Sequence, residues 1–447
     1  MQRALPIAIA IFLCGMVSFA LSRLDHVASP PHSSAPPEPS AAPIAPPPPP
    51  STGPEDPVAH LDGLIAFYSG RGAAGTATWL DWEFVAIYSM DRARMTGDYT
   101  DWQRAESALT SAFEAGGNGF GPYLTRANFN SSMHRIDRVE ADLDSASHAI
   151  LLSSADRGAI LSMRADARYY GGRYDEARTL YEEQLVANRR SPDALGTMAQ
   201  LEWHTGHFDT AESLLDEAMG RTNADPVMGA WVLSLRATLE RDRNRLDAGL
   251  AAIARAHALR PNDPHLDELA AELHELGGDD DQALHDFRAV AARTSSPQSI
   301  DGAARILRAR GDTIEADELV RVARQSYDAQ IALFPEAAYG HAIDHWLRLE
   351  PDDVDRMITI AEGNAEARPY GETRVKLAMA YVLADRIADA RAVLDAVLAT
   401  EWSTFELHAV NAIVLEREGR DASAEQAAAE AIAPGASDRL AWLTTRQ

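Results

Sequence analysis

Cysteine is nearly absent: the 447 residues hold one, Cys14, and it sits in an apolar N-terminal run. The rest of the chain therefore has no internal disulfide, no CxxC pair and no thiolate metal cage. Positive charge is scarce as well. Lys and Arg number 41 against 67 Asp and Glu, for a formal net charge of −26 and a pI near 4.9. Affinity for phosphate backbones comes from clustered cations, so this balance argues against nucleic acid as the main partner. Beyond residue 58 no convincing stretch alternates apolar and polar residues with period two, which leaves little from which to build a sheet. The phosphate-loop, zinc-protease and hydrolase patterns GxxxxGKS/T, HExxH and GxSxG are missing too. These absences call for no cofactor, no catalytic centre and no bound metal.

Two fragments imitate motifs. Gly70, Gly72 and Gly75 spell GxGxxG, but no strand precedes them, so they read as a glycine-rich helix connection. Asp242 to Asp247 begins like a calcium loop, yet Asp247 fills the slot where the sharp turn demands glycine.

What is present starts with an address. Arg3 precedes an apolar run from Ala4 to Leu21, interrupted only by Pro6, Gly15 and Ser18, which matches an export signal. Small residues allow cleavage after Ala20 or Ser22, whereas the length of the run also suffices for a membrane anchor. Residues 1–22 are thus expected to be a signal peptide or signal anchor, placing the body outside the cytoplasm with membrane contact through residues 4–21 alone. Leu13 stands where a lipid-attachment site needs a small residue before Cys14. Residues 23–57 form a proline-rich linker, with 13 of the 24 prolines between Pro30 and Pro57. As polyproline II that stretch reaches roughly 90 Å. The body, residues 58–447, keeps 39 basic and 63 acidic residues.

The chain is 46% hydrophobic, and its length exceeds what one compact core supports, which requires several domains or a repeat array. The repeat signal lies in the body. Its apolar spacing is helical, and GlyArgTyrAspGluAla at 172–177 recurs as GlyHisPheAspThrAla at 206–211, 34 residues on. With the turn residue as anchor, similar turns fall at Gly97, His134, Gly172, Gly206, Asn244, Gly278, Gly311, Leu349, Asp385 and Gly419. Seven residues before each anchor stands alanine, from Ala127 to Ala412, with Met90 the exception. Five after it comes a small residue (Val139, Ala177, Ala211, Gly249, Ala283, Ala316, Val354, Ala390, Ala424), and nine after it a mostly bulky one, such as Leu143, Tyr181, Phe287 or Ile358. Small side chains let two helices approach, and Pro192, Pro226, Pro261, Pro297, Pro335 and Pro369 are expected to end the second helices.

The pattern resembles the tetratricopeptide repeat over roughly residues 80 to 435, most specifically at 171–177, 203–211 and 245–261. The family's early Trp is replaced by Leu161, Leu195, Leu233 or Ile300. The resemblance implies an all-α, right-handed superhelix of about ten helix pairs whose first helices line a concave groove. Carried over by position, that groove holds Asp166, Tyr169, Tyr170, Gln200, Trp203, His204, Trp231, Arg241, Glu268, Glu272, Glu275, Arg305, Arg308, Tyr339 and Trp346. Aromatic and arginine side chains in a concave wall suit a protein or peptide partner, here one presenting an apolar side chain beside a basic one. Tyr169, Trp203 and Trp231 equally suit packing between neighbouring helices. Val375, Met379, Val382 and Leu383 are too apolar to stay wet, so a neighbouring helix or a partner should cover them.

The resemblance implies a non-enzymatic interaction scaffold. The alternatives are a structural component acting through an acidic convex face or self-association, and a metal-dependent enzyme at His341 and His345, which share a helix face at four-residue spacing. Core or interface roles account for those histidines as well.

Overall fold

The computed structural model describes residues 57–117, 120–148 and 152–444. The expectations for residues 1–22 and for the proline-rich linker lie outside them, apart from Pro57. No helix among the described residues is long and apolar enough to cross a membrane.

A leading helix, α1 (Pro57–Ala73), precedes ten helix pairs. The first four pairs are α2 (Trp79–Thr96) with α3 (Tyr99–Gly116), α4 (Tyr123–Ser132) with α5 (Ile136–Ser147), α6 (Ser154–Tyr170) with α7 (Tyr174–Ala187), and α8 (Pro192–His204) with α9 (Phe208–Gly220). Next come α10 (Pro226–Asp242) with α11 (Leu246–Leu259), α12 (Pro264–Leu276) with α13 (Asp280–Thr294), and α14 (Pro297–Arg310) with α15 (Thr313–Leu333). The last are α16 (Pro335–Arg348) with α17 (Val354–Ala367), α18 (Gly371–Leu383) with α19 (Ile387–Leu398), and α20 (Phe405–Arg417) with α21 (Ser423–Ile432). A 3-10 segment, Ser437–Leu443, follows. The described residues contain no strand. The GxGxxG glycines lie where α1 ends and its turn to α2 begins, a helix connection as expected.

The turn anchors work through the backbone. Nine of the ten adopt positive φ, between 56° and 90°. A left-handed residue stops a helix and turns the chain back; Gly, Asn and Asp tolerate it at least cost. Gly172 has a second reason to be glycine, because a Cβ there would come within 2.7 Å of the Pro369 carbonyl oxygen. The ladder residues seven before the anchors, Met90 included, are all at most 5% exposed. Each helix pair closes over its own small residue and leaves the larger apolar ones to the neighbouring pair, so the array is stable only as a stack.

Leu349 departs from the rule, with φ −112°. The chain adds a turn at 349–353, and α17 starts late. Val354 and Ile358 therefore slip outward, while Met357 and Ala361 take the buried slots. Ala424 in α21 is likewise exposed. The prolines need a correction of role. Pro192, Pro226, Pro297 and Pro335 occupy the first turns of α8, α10, α14 and α16 rather than ending the helices before them. Proline lacks an N–H that is unsatisfied in a first turn anyway, and its φ is already helical. Asp225 and Ser296, just ahead of two of these prolines, cap the same helices by accepting backbone N–H bonds, each worth about 1 kcal/mol.

The superhelix meets itself after six repeats. The amide of Gly371 donates to Tyr174 Oη at 2.8 Å, that of Ser403 to the carbonyl of His204 at 2.8 Å, and Asn244 Nδ2 to the carbonyl of Pro434 at 2.8 Å. Further back, Phe129 packs edge-on against Phe334 at 6.1 Å, and Arg135 lies 3.7 Å from Glu336. One core cluster accordingly runs from Ala165 through Trp203 to Trp402 and Leu443.

Candidate binding groove

The first helices face inward around a cavity of about 2200 Å³. Its wall has an aromatic stretch and a charged stretch, built from equivalent positions in successive repeats.

The aromatic stretch is a seam. His204 stacks on Trp402 at 4.7 Å and 20°, Tyr169 lies 5.7 Å from Tyr370, and Tyr174 lies 5.7 Å from Trp402. Burial pushes His204 down to about 4, so its imidazole is neutral at pH 7, and its Nδ1 shares a hydrogen bond with Tyr169 Oη at 2.6 Å. The Arg178 guanidinium bridges the seam, held by Glu202 on one side and by Glu401 at 3.1 Å on the other. Aromatic pairs in these geometries contribute about 0.5–1.5 kcal/mol beyond their buried area. Trp203 is 2% exposed, which settles its alternative readings: it is core, and no partner reaches it while the seam is shut.

The charged stretch lies open to the cavity and is internally paired. Arg241 contacts Glu272 at 2.6 Å and Asp242 at 3.1 Å, and Arg305 forks onto both Glu275 oxygens at 2.9 and 2.7 Å. Glu268 accepts from Ser296 and Ser299 at 3.0 and 2.6 Å. Across the cavity Lys376 pairs with Asp344 at 2.9 Å and Glu372 at 3.3 Å. Burial alone would raise Glu372, but Lys376 and the Tyr370 hydroxyl hold it down to about 2.

Of the fifteen groove residues expected from the sequence, eleven line the cavity: Tyr169, Tyr170, Gln200, Trp203, His204, Trp231, Arg241, Glu268, Glu272, Glu275 and Arg305. Four do not. Asp166 is buried and accepts from Tyr181 Oη at 2.7 Å, and burial raises its carboxyl to about 8. Arg308 reaches the Leu349 carbonyl and Asp317. Tyr339 packs over Gly363, and Trp346 is wholly buried. The register slip at Leu349 accounts for the last two, because the alignment placed α16 by an anchor that does not turn the chain.

His341 lines the cavity, whereas His345 is shut inside the repeat. Both nitrogens of His345 are engaged, Nδ1 with Asp301 at 2.8 Å and Nε2 with Glu350 at 2.9 Å. Burial opposes its charge, yet hydrogen bonds to the two carboxylates raise it to about 9, making it a cationic brace between repeats. The described residues offer no group of three or more His, Cys, Asp or Glu suited to a metal. The pairing of both His345 nitrogens leaves the two histidines no shared ion.

Residues that sequence reasoning missed are Tyr370, Trp402, Lys376, Glu372 and Arg439. Tyr370 and Lys376 lie on or beside α18 outside the slots used for the alignment, Glu372 fills the slot thirteen before Asp385 and was passed over, and Trp402 sits in a loop with no periodic signal. Val375, Met379 and Val382 are buried as expected, and the cover is the chain itself: segment 437–443 packs on α18 and α20.

Ten stacked helix pairs of this kind define the class, an all-α helix-pair solenoid. Residues 170–230 match the tetratricopeptide repeat family. A tetratricopeptide repeat protein from Parabacteroides merdae is 16% identical, over 57% of this chain and 97% of its own, with a TM-score of 0.35. Yeast Tom70 is 12% identical over 86% of this chain and 91% of its own, with a TM-score of 0.37. The human IFIT1 dimer solved with m7Gppp-AAAA is 13% identical over 86% and 95%, with a TM-score of 0.39. No curated protein matches in sequence.

Proposed function

We propose that the chain is an exported, membrane-tethered and non-catalytic scaffold that holds a segment of another protein in its cavity. The observation that carries this reading is the cavity itself: about 2200 Å³ walled by the first helices of successive repeats, with apolar Trp231, Leu259, Leu276 and Met379 beside charged groups. A side chain or short segment fits there with both its apolar and its polar surface met. Export and tethering rest on Arg3, the apolar run to Leu21 and the proline-rich spacer behind it.

The partner chemistry follows from which charges are already paired. Glu272 and Glu275 are neutralised by Arg241 and Arg305, so a basic side chain gains little from them. Burial raises both Asp242 and Glu406, Asp242 lies near enough to raise Glu406 further, and the cations beside them are Arg241 and Arg439. That grouping already seats a guanidinium, the chemistry a basic partner side chain would offer. The partner segment accordingly presents a basic side chain next to apolar ones.

Affinity capture from the native organism tests the reading. A chain carrying Thr238→Arg and Leu276→Arg, two cavity positions outside the core, should lose the captured partner while keeping its helical content. Unchanged capture by the folded variant would move the binding surface to the acidic convex face.

A further inference from the structure

The groove already holds a short peptide, the chain's own. We infer that Ser437–Leu443 is an internal ligand of the groove, and that the partner segment resembles it: an arginine followed at the first, third and fourth positions by leucine, tryptophan and leucine on one helical turn. This rests on the groove reading above and names the chemistry that the groove takes.

The geometry separates a ligand from a cap. A capping segment covers the trailing end of the last repeat. Segment 437–443 also packs Leu440 against the cluster that holds Ala429 and Ile432 of the last helix, but it doubles back onto α18 and α20, the first helices of the last two pairs, and Asp438, Arg439, Leu440 and Trp442 line the cavity. It also bridges to the central repeats. Arg439 donates to the carbonyl of Arg241 at 2.9 Å and to Asn244 Oδ1 at 2.8 Å, and its charge lies near Asp242 and Glu406. Leu443 is 3% exposed in the large core cluster, with Leu440 and Trp442 packed half-buried against it. Trp442 Nε1 donates to the Arg439 carbonyl at 3.1 Å, so the turn supplies its own hydrogen bond and carries its shape with it. The Arg348 guanidinium sits 6.0 Å from the Trp442 ring.

The link is short and exposed. Pro434 and Gly435 face solvent, Gly435 has φ 73°, Asn244 holds the Pro434 carbonyl, and the Gly435 amide donates to the Glu430 carboxylate at 3.1 and 3.2 Å. A tethered ligand acts at an effective concentration of about millimolar. An outside segment of the same chemistry must exceed that to enter, which makes the tail a threshold on partner binding.

The test uses the full chain and the same chain ending at Ala436, with a fluorescent peptide of residues 437–444 as the probe. The shortened chain should bind the peptide saturably. Peptides with Arg439→Ala or Leu443→Ala should bind at least about tenfold more weakly, and the full chain should bind the intact peptide about tenfold more weakly or worse. Should the shortened chain fail to fold, a protease site inserted after Gly435 and cut once the chain has folded gives the same comparison. A folded, tail-free chain that ignores the peptide, or binds all three peptides alike, overturns the inference, as does equal binding by the full chain. If the peptide result is negative while Thr238→Arg with Leu276→Arg still abolishes capture, the groove function stands and the internal ligand alone is lost.

Discussion

Tyr169 and Trp203 stand three residues before their turn anchors, as do Arg241 and Glu275, and all four border the cavity, yet the first two are buried at the seam while the last two keep part of their side chains exposed. The position within the repeat is the same. What differs is the later element each meets: α18, Trp402 and the loop before α20 close on the aromatic stretch with packed rings, whereas the charged stretch is met by single polar side chains, Arg439 at Arg241 and Arg348 3.8 Å from Glu275. Exposure in this solenoid is therefore set by the superhelical turn as well as by the repeat, and an aromatic stripe in a concave wall can be the closing surface of the protein rather than its binding surface.

The largest expected effect sharpens that contrast. Trp203→Ala removes a large buried ring from the core and should cost about 3–5 kcal/mol, read as a lower melting temperature with cooperative loss of helical signal. A melting temperature close to that of the parent chain would place Trp203 outside the core.

A smaller effect is a dependence on pH. Asp166, raised to about 8, and His345, raised to about 9, both bind protons more tightly when folded than when unfolded. For each, the stabilisation is complete below the unfolded pKa and is lost as pH rises through the folded value. Thermal stability should fall from the ordinary carboxylate range up to about 8 through Asp166 and from the ordinary imidazole range up to about 9 through His345, and Asp166→Asn should remove the first of these losses. His204 and His341, lowered to about 4, act the other way and take stability away only as pH falls towards that value.

The smallest effect belongs to the charged stretch. Glu272→Gln weakens a half-exposed pair with Arg241 and should change stability by less than about 1 kcal/mol, with the melting curve nearly superimposable on the parent's. A loss as large as that of Trp203→Ala would erase the distinction between the two stretches.

Much of this was legible in the sequence, and for a physical reason. Turn anchors and the alanine ladder are local: a left-handed residue and a close helix contact are satisfied within one repeat, so Gly172, Gly206 and Gly311 could be placed without any view of the whole. Leu349 misled because an insertion shifts register without altering composition. The seam was not legible. Tyr174 and Gly371, or His204 and Ser403, meet only because small rotations accumulate over six repeats, and no single repeat records that sum. The same blindness hid the tail, since Arg439 and Leu443 belong to no repeat.

The central claim is that the solenoid closes on itself, and one cross-link tests it. A Cβ built on Gly206 would lie 3.5 Å from that of Ser403, within the span of a disulfide. With Cys14→Ser removing the one natural thiol, a chain carrying Gly206→Cys and Ser403→Cys should oxidise to a single intramolecular disulfide that joins residues on opposite sides of the seam. If both thiols stay free to alkylation in a chain of unchanged helical content, the seam is open and the aromatic stretch faces solvent.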